Sequence, residues 1–234
     1  MKNFLTKKPV FLRKLKRFCA VIACVFLVCL LPLFASCKKE IDYFDYVSEL
    51  RSNIFLAEAD GFSLRVYAVE KETPYVSDGV PMETSKRIEV YLVAPSGDKT
   101  CNLSFTVFDK AYGGEMSFDN VKAEYYFSCT LDVSELTEIT CHIEYGEEEM
   151  ELCALSIKTE TTRSPKQILE DLKNGESELF SSMTDKYGFT GEIYIRILYE
   201  DFPYYYVGVI DRNGKTNAFL LNGETGKILA KRES

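Results

Sequence analysis

Between residues 53 and 158 apolar and polar side chains alternate in short runs, with turn signals about every 8–12 residues. Phe62, Leu64, Val66 and Ala68 fall on one side of such a run, and Ser63, Arg65 and Tyr67 on the other, the period of a half-buried strand. Asp60-Gly61 precedes it, the dipeptide a two-residue hairpin turn prefers because both central residues need positive φ. Asn53 to Ala59 is therefore predicted to be its hairpin partner. Runs at Ile88–Leu92, Leu103–Val107, Glu115–Phe118, Val121–Phe127, Ile139–Ile143 and Met150–Ile157 bring the total to seven or eight antiparallel strands. That is the pattern of a β-sandwich of immunoglobulin-like architecture. Residues 71–85, with Pro74, Asp78-Gly79 and Pro81, form a loop long enough for a compact domain to be either functional or loose.

The flanks follow a different period. From Asp42 to Ser52, Tyr43, Val47 and Leu50 stand at helical spacing, with Asp42, Asp45 and Glu49 near the first turn, where the helix dipole favours acids. A tether and short helix over 37–52 is the expectation. After the sandwich at 53–158, the polar residues 159–163 mark a boundary. Ser164-Pro165-Lys166-Gln167 then carries the residues of a capping box. A helix over 165–186 presents Ile168, Leu169, Leu172, Leu179, Phe180 and Met183 on one face, and Asn174-Gly175 is placed to break it. Strands from about 190 to 231 close the chain as an antiparallel meander. The fold class is α+β, mostly β, with the α+β tail spanning 159–234.

Ahead of all this lies a stretch with neither period. Seven Lys/Arg and no acid occupy residues 1–36, and the apolar run Phe18–Phe34 ends in Ala35-Ser36-Cys37. Leu33-Phe34-Ala35-Ser36-Cys37 resembles the lipobox of a bacterial lipoprotein, with Phe34 where that family usually has Leu. The resemblance implies that residues 1–36 are a signal peptide and that Cys37 becomes the lipid-modified (palmitate-bearing) N-terminus. It also implies a location on the extracytoplasmic face of the cell membrane. An uncleaved anchor or a plain signal peptide is the alternative. Of the 28 Lys/Arg, 21 follow the leader, against 36 acids, so the remainder carries a formal charge near −15. Such a surface argues against nucleic acid and against a polybasic grip on anionic lipid.

Candidate chemistry is sparse. Cys101, Cys129, Cys141 and Cys153 allow three disulfide pairings or four buried thiols, and a three-residue hairpin loop would set Cys141 opposite Cys153. None has metal-ligand spacing. His142 is the one histidine, on the outward side of its strand, with no nucleophile placed beside it. Glu147–Glu149 reads as a solvated acidic turn, and the spacing of Glu144, Glu147, Glu148, Glu149 and Glu151 matches no calcium loop. Phosphate loops, dinucleotide fingerprints and zinc-protease motifs are absent, and no cofactor or metal is implied.

Tyr204, Tyr205 and Tyr206, with Phe202, Tyr194 and Tyr199 nearby, form the most suggestive cluster: a candidate ligand surface for a peptide or glycan, or an interface packed on the sandwich. The closing order helix, strand, strand, then Asp211…Gly214…Leu220-Leu221-Asn222-Gly223-Glu224-Thr225-Gly226-Lys227-Ile228-Leu229 resembles a PepSY-type envelope domain, with Asn222 where that family usually has Asp. The whole chain resembles uncharacterised lipoproteins of Gram-positive, low-GC (Firmicutes-type) bacteria. Together these imply a non-enzymatic, lipid-anchored binding or envelope-assembly protein, or else a PepSY-like regulator or inhibitor of a cell-surface peptidase.

Overall fold

A computed structural model describes residues 41–76 and 78–233. The predicted signal peptide over 1–36 and the predicted lipidation site Cys37 lie outside the described residues. The predicted helix over 42–52 is replaced by one 3₁₀ turn, Tyr43–Tyr46, capped by the Asp42 carboxylate on the Phe44 N–H at 3.1 Å. Strand β1 (Val47–Ala59) begins directly after it. Register shifts lie between Val47 and Glu49 and between Arg51 and Asn53. A bulge offsets side-chain alternation by one residue, and two of them let a strand mimic a helical spacing.

β1 forms its hairpin with β2 (Phe62–Glu72) through Asp60 and Gly61, both at positive φ, as the dipeptide predicts. β3 (Thr84–Val93), β4 (Cys101–Val107), β5 (Lys110–Glu115), β6 (Ser117–Asp119), β7 (Glu124–Cys129), β8 (Glu138–Tyr145) and β9 (Glu148–Ser156) follow. β1-β2-β3-β7-β6 pair in that order, and β9-β8-β4-β5 continue from the second half of β1. Leu64, Val66, Ile88, Val90 and Leu92 from the first group meet Leu103, Phe105, Ile139, Ile143 and Leu152 from the second in one core. Each fully buried side chain of this size contributes about 1.5–3 kcal/mol relative to exposure.

Helix α1 (Pro165–Gly175) opens on the predicted capping box: the Ser164 hydroxyl accepts from the Gln167 N–H at 3.3 Å, and the Gln167 side chain accepts from the Ser164 N–H at 2.9 Å. The helix ends at Gly175, and α2 (Ser177–Ser182) follows, so the predicted break occurs where Asn174-Gly175 places it. A two-stranded ribbon of β10 (Thr184–Asp185) and β11 (Gly188–Phe189) leads into β12 (Gly191–Tyr199), β13 (Pro203–Asp211), β14 (Thr216–Asn222) and β15 (Ile228–Glu233). Ile168, Leu169, Leu172 and Phe180 pack on Ile193, Ile195, Ile197, Val207, Val209 and Phe219 to form a second core.

β12 also pairs with β1, in parallel, setting Leu50 opposite Ile195 and Arg51 opposite Arg196. The meander and the sandwich therefore belong to one 13-stranded sheet, antiparallel apart from this pair. The loop after β2 is held down: buried Glu192 accepts from the Gly79 N–H at 2.7 Å, from the Asp78 N–H at 3.2 Å and from the Ser48 hydroxyl, while Glu72 accepts from the Met82 N–H. Among the described residues no helix is long and apolar enough to cross a membrane.

Candidate functional site

The parallel pairing of β1 and β12 ends at Arg51 and Arg196. Four residues on, β1 takes β9 as its partner instead, Phe55 opposite Ser156 and Leu56 opposite Leu155. β9 runs antiparallel toward the space into which β12 is heading, so the two cannot share one edge of β1 and the sheet forks. A groove of about 530 Å³ opens in the fork. Arg51, Ile54, Leu56, Arg65 and Tyr67 line one wall, and Leu198, Tyr199, Glu200, Tyr204 and Leu220 the other. Its size lies in the usual range for ligand clefts.

The first wall is built by alternation. Ile54 stands opposite Tyr67, and Leu56 opposite Arg65, across the β1–β2 ladder. The Arg51 guanidinium lies 4.1 Å from the centroid of the Tyr67 ring. Its Nε is buried and has no hydrogen-bond partner, and among the described residues no carboxylate pairs with it. Arg65, by contrast, is held at 2.5 Å by Glu124, and Arg196 is gripped by Glu49 through Nε at 2.9 Å and Nη2 at 2.5 Å. The hydrogen bonds it donates to Glu49 hold the Arg196 guanidinium above its ordinary pKa against the opposing effect of burial.

Tyrosines extend the wall across the sheet. Tyr67 lies 5.3 Å from Tyr91, and Tyr91 lies 5.1 Å from Tyr126, centroid to centroid. Burial pushes the Tyr91 phenol up, the Glu89 charge pushes it further, and its hydroxyl donates to Glu89 at 3.1 Å. On the other side of the fork Tyr194 and Tyr206 face each other at 5.7 Å, with Arg196 4.9 Å from the Tyr194 centroid.

The tyrosine triplet divides. Tyr204 lines the groove beside Phe202, 4.1 Å away, and Tyr206 shares its face of the sheet. Tyr205 is no part of that surface: it is fully buried in the second core and its hydroxyl donates to the Arg163 carbonyl at 2.8 Å. Alternation along β13 sends the middle residue of any triplet to the opposite face. The triplet supplied part of one wall, and Arg51, Ile54, Leu56 and Tyr67 were missed. Their signal was present only as outward positions on the hairpin, because nothing in the sequence shows where the sheet forks.

The remaining candidates are placed plainly. His142 is exposed, its Nδ1 3.4 Å from Glu151. Glu148 in the acidic turn meets Lys99 at 2.8 Å. The β8–β9 loop has two residues rather than three, so Thr140, not Cys141, stands opposite Cys153. Cys141 is buried and Cys153 exposed on opposite faces, and all four cysteines are free. The residues carrying the PepSY-like resemblance serve the β14–β15 turn, where the Asn222 side-chain oxygen accepts from the N–H groups of Glu224 (3.0 Å) and Thr225 (2.8 Å). The groove itself offers aliphatic floor, phenol rings, two guanidinium groups and the Glu200 carboxylate, with no hydroxyl of Ser or Thr, no thiol and no imidazole in its lining. Protein-family models, curated proteins and solved structures give no match to this chain.

Proposed function

We propose that the protein is a lipid-anchored extracytoplasmic binding or envelope-assembly protein without catalytic activity, and that its ligand seats in the groove at the fork between β1 and β12. The observation that carries this reading is the lining: four aliphatic side chains, three tyrosines and a guanidinium with no carboxylate beside it, in an open cleft. Such a surface rewards binding, and its lining holds no Ser, Thr or Cys nucleophile and no imidazole. Lipid on Cys37 would be its membrane contact. A surface peptidase contributing the bound segment would make the protein a PepSY-like regulator or inhibitor.

The experiment is crosslinking and capture from intact cell envelopes with wild type, Leu198→Glu, Tyr204→Ala and, as control, Val121→Glu on an exposed site outside the groove lining. Leu198→Glu and Tyr204→Ala lose a partner that wild type and Val121→Glu retain, with thermal unfolding unchanged. A partner retained by both groove variants overturns the reading. A protease-inhibition assay with the captured partner separates peptidase regulation from envelope assembly.

A further inference from the structure

We infer that the groove recognises a short polypeptide segment in which an aliphatic or aromatic side chain lies next to a carboxylate, with Arg51 receiving the carboxylate; this rests on the groove being the ligand site. Two features of the lining select that chemistry. Ile54, Leu56, Leu198 and Leu220 gain only from apolar side chains, which polypeptides carry and glycans lack. The hydroxyl-rich face of a glycan would meet four aliphatic side chains and leave its polar groups unpaired there.

The second feature is a charge out of place. The chain beyond the leader holds 36 acids against 21 bases. Among the neighbouring cations, Arg65 is neutralised by Glu124, Arg196 by Glu49 and Lys71 by Glu89. Arg51 has no such partner: its guanidinium lies over the Tyr67 ring, 4.1 Å from the centroid, and its buried Nε has no acceptor; Arg87 shares the unpaired Nε but donates to the Ser128 hydroxyl at 3.2 Å and lies outside the groove lining. A guanidinium held over an aromatic ring suits a carboxylate, which can accept two parallel N–H bonds from its fork. A ligand carboxylate accepting from the guanidinium would neutralise the one cation of the groove lining that no carboxylate pairs with among the described residues. Glu200 on the facing wall disfavours a ligand whose acidic group lies on that side, which orients the segment across the groove.

The probe is a random heptapeptide display library selected on the full-length protein, with individual binders then measured against Arg51→Met, Arg51→Lys and Leu198→Glu. Arg51→Met keeps an unbranched apolar stem over Tyr67 and removes only the charged fork. Selected peptides share an Asp, Glu or free C-terminus beside an aliphatic or aromatic residue. They bind Arg51→Met on the order of tenfold to hundredfold more weakly, the range for a lost hydrogen bond to a charged group, and Arg51→Lys with an intermediate loss. Binding also weakens with added salt. Binders abolished by Leu198→Glu yet lacking a carboxylate, or indifferent to Arg51→Met, overturn the inference and leave the groove as a binding site. Binders indifferent to Leu198→Glu overturn both. A library that yields no binder overturns the assignment to polypeptide and leaves the capture experiment to decide the groove.

Discussion

Ile54 and Phe55 are adjacent in β1 and belong to different cores. Phe55 is fully buried with Leu64, Val90 and Phe105, whereas Ile54 packs with Ile157, Ile197 and the helix-covered face of the meander. One strand thus serves as a wall of both halves, which is the simplest use of a period of two. Because the second half of β1 also pairs with β9 and the first half with β12, displacement of β1 removes backbone partners from both.

Phe55→Ala tests that sharing. Truncating a fully buried Phe costs about 3–5 kcal/mol. The expected outcome is a single denaturant transition moved to lower concentration, with amide exchange accelerated in Ile193–Ile197 as well as in the sandwich. Acceleration confined to the sandwich, or a second transition at the wild-type midpoint, shows that the halves unfold separately.

Glu192 makes a second link, joining β12 to the loop after β2. Replacing it with Ala leaves the Gly79 N–H without its acceptor, and a buried donor left unpaired costs about 1–3 kcal/mol. Glu192→Ala is expected to raise amide exchange at Asp78 and Gly79 and to lower stability by that order. Glu192→Gln, which keeps one acceptor oxygen, is expected to do less. Unchanged protection at Gly79 in the Ala variant removes the latch.

Local chemistry was the legible part of this fold. Asp60-Gly61 requires its hairpin, and Ser164 with Gln167 requires its helix start, whatever the rest of the chain does. What escaped depends on distant partners. Val47–Arg51 has a helical spacing of apolar residues, and it becomes strand because β2 and β12 bracket it, the latter from more than 140 residues away. The groove combines Arg51 and Tyr67 with Leu198 and Tyr204, and no local pattern brings those segments together. The cysteine geometry turned on one residue of loop length, since a slip of one exchanges the two faces of a strand.

That slip has a chemical consequence. Burial pushes the Cys141 thiol from its ordinary 9.0 up to about 12 and Cys101 up to about 11. Both stay protonated in the folded state at pH 8, where the thiolate is the nucleophile. Iodoacetamide at pH 8, read by peptide mass spectrometry, is expected to label exposed Cys153 and spare Cys101 and Cys141 until denaturant is added. The sign of the pH effect follows: a thiol favoured as neutral by folding contributes nothing to pH dependence below the ordinary pKa. As pH rises from about 9 toward 12 the unfolded chain ionises first, and stability falls across that window. Prompt labelling of Cys141 in the native protein, or a Cys141–Cys153 disulfide, contradicts the register.

Cys37 bears on where the groove works. Residues 37–234 hold 36 acids against 21 bases, so their attraction to anionic lipid is weak and the proposed membrane location would need a covalent anchor. On the proposed reading Cys37 is both the modification site and the first residue after cleavage, so Cys37→Ser would remove both at once. The expected outcome is loss of metabolic labelling by a palmitate analogue, together with release from the membrane or accumulation of a slower-migrating precursor. Arg51 and Leu56 belong to the groove lining, and a variant recovered in soluble form should bind the heptapeptides selected on wild type with unchanged affinity. Membrane-bound Cys37→Ser protein at wild-type mobility, labelled as before, would sink the lipobox reading and return residues 18–34 to the alternative of an uncleaved anchor.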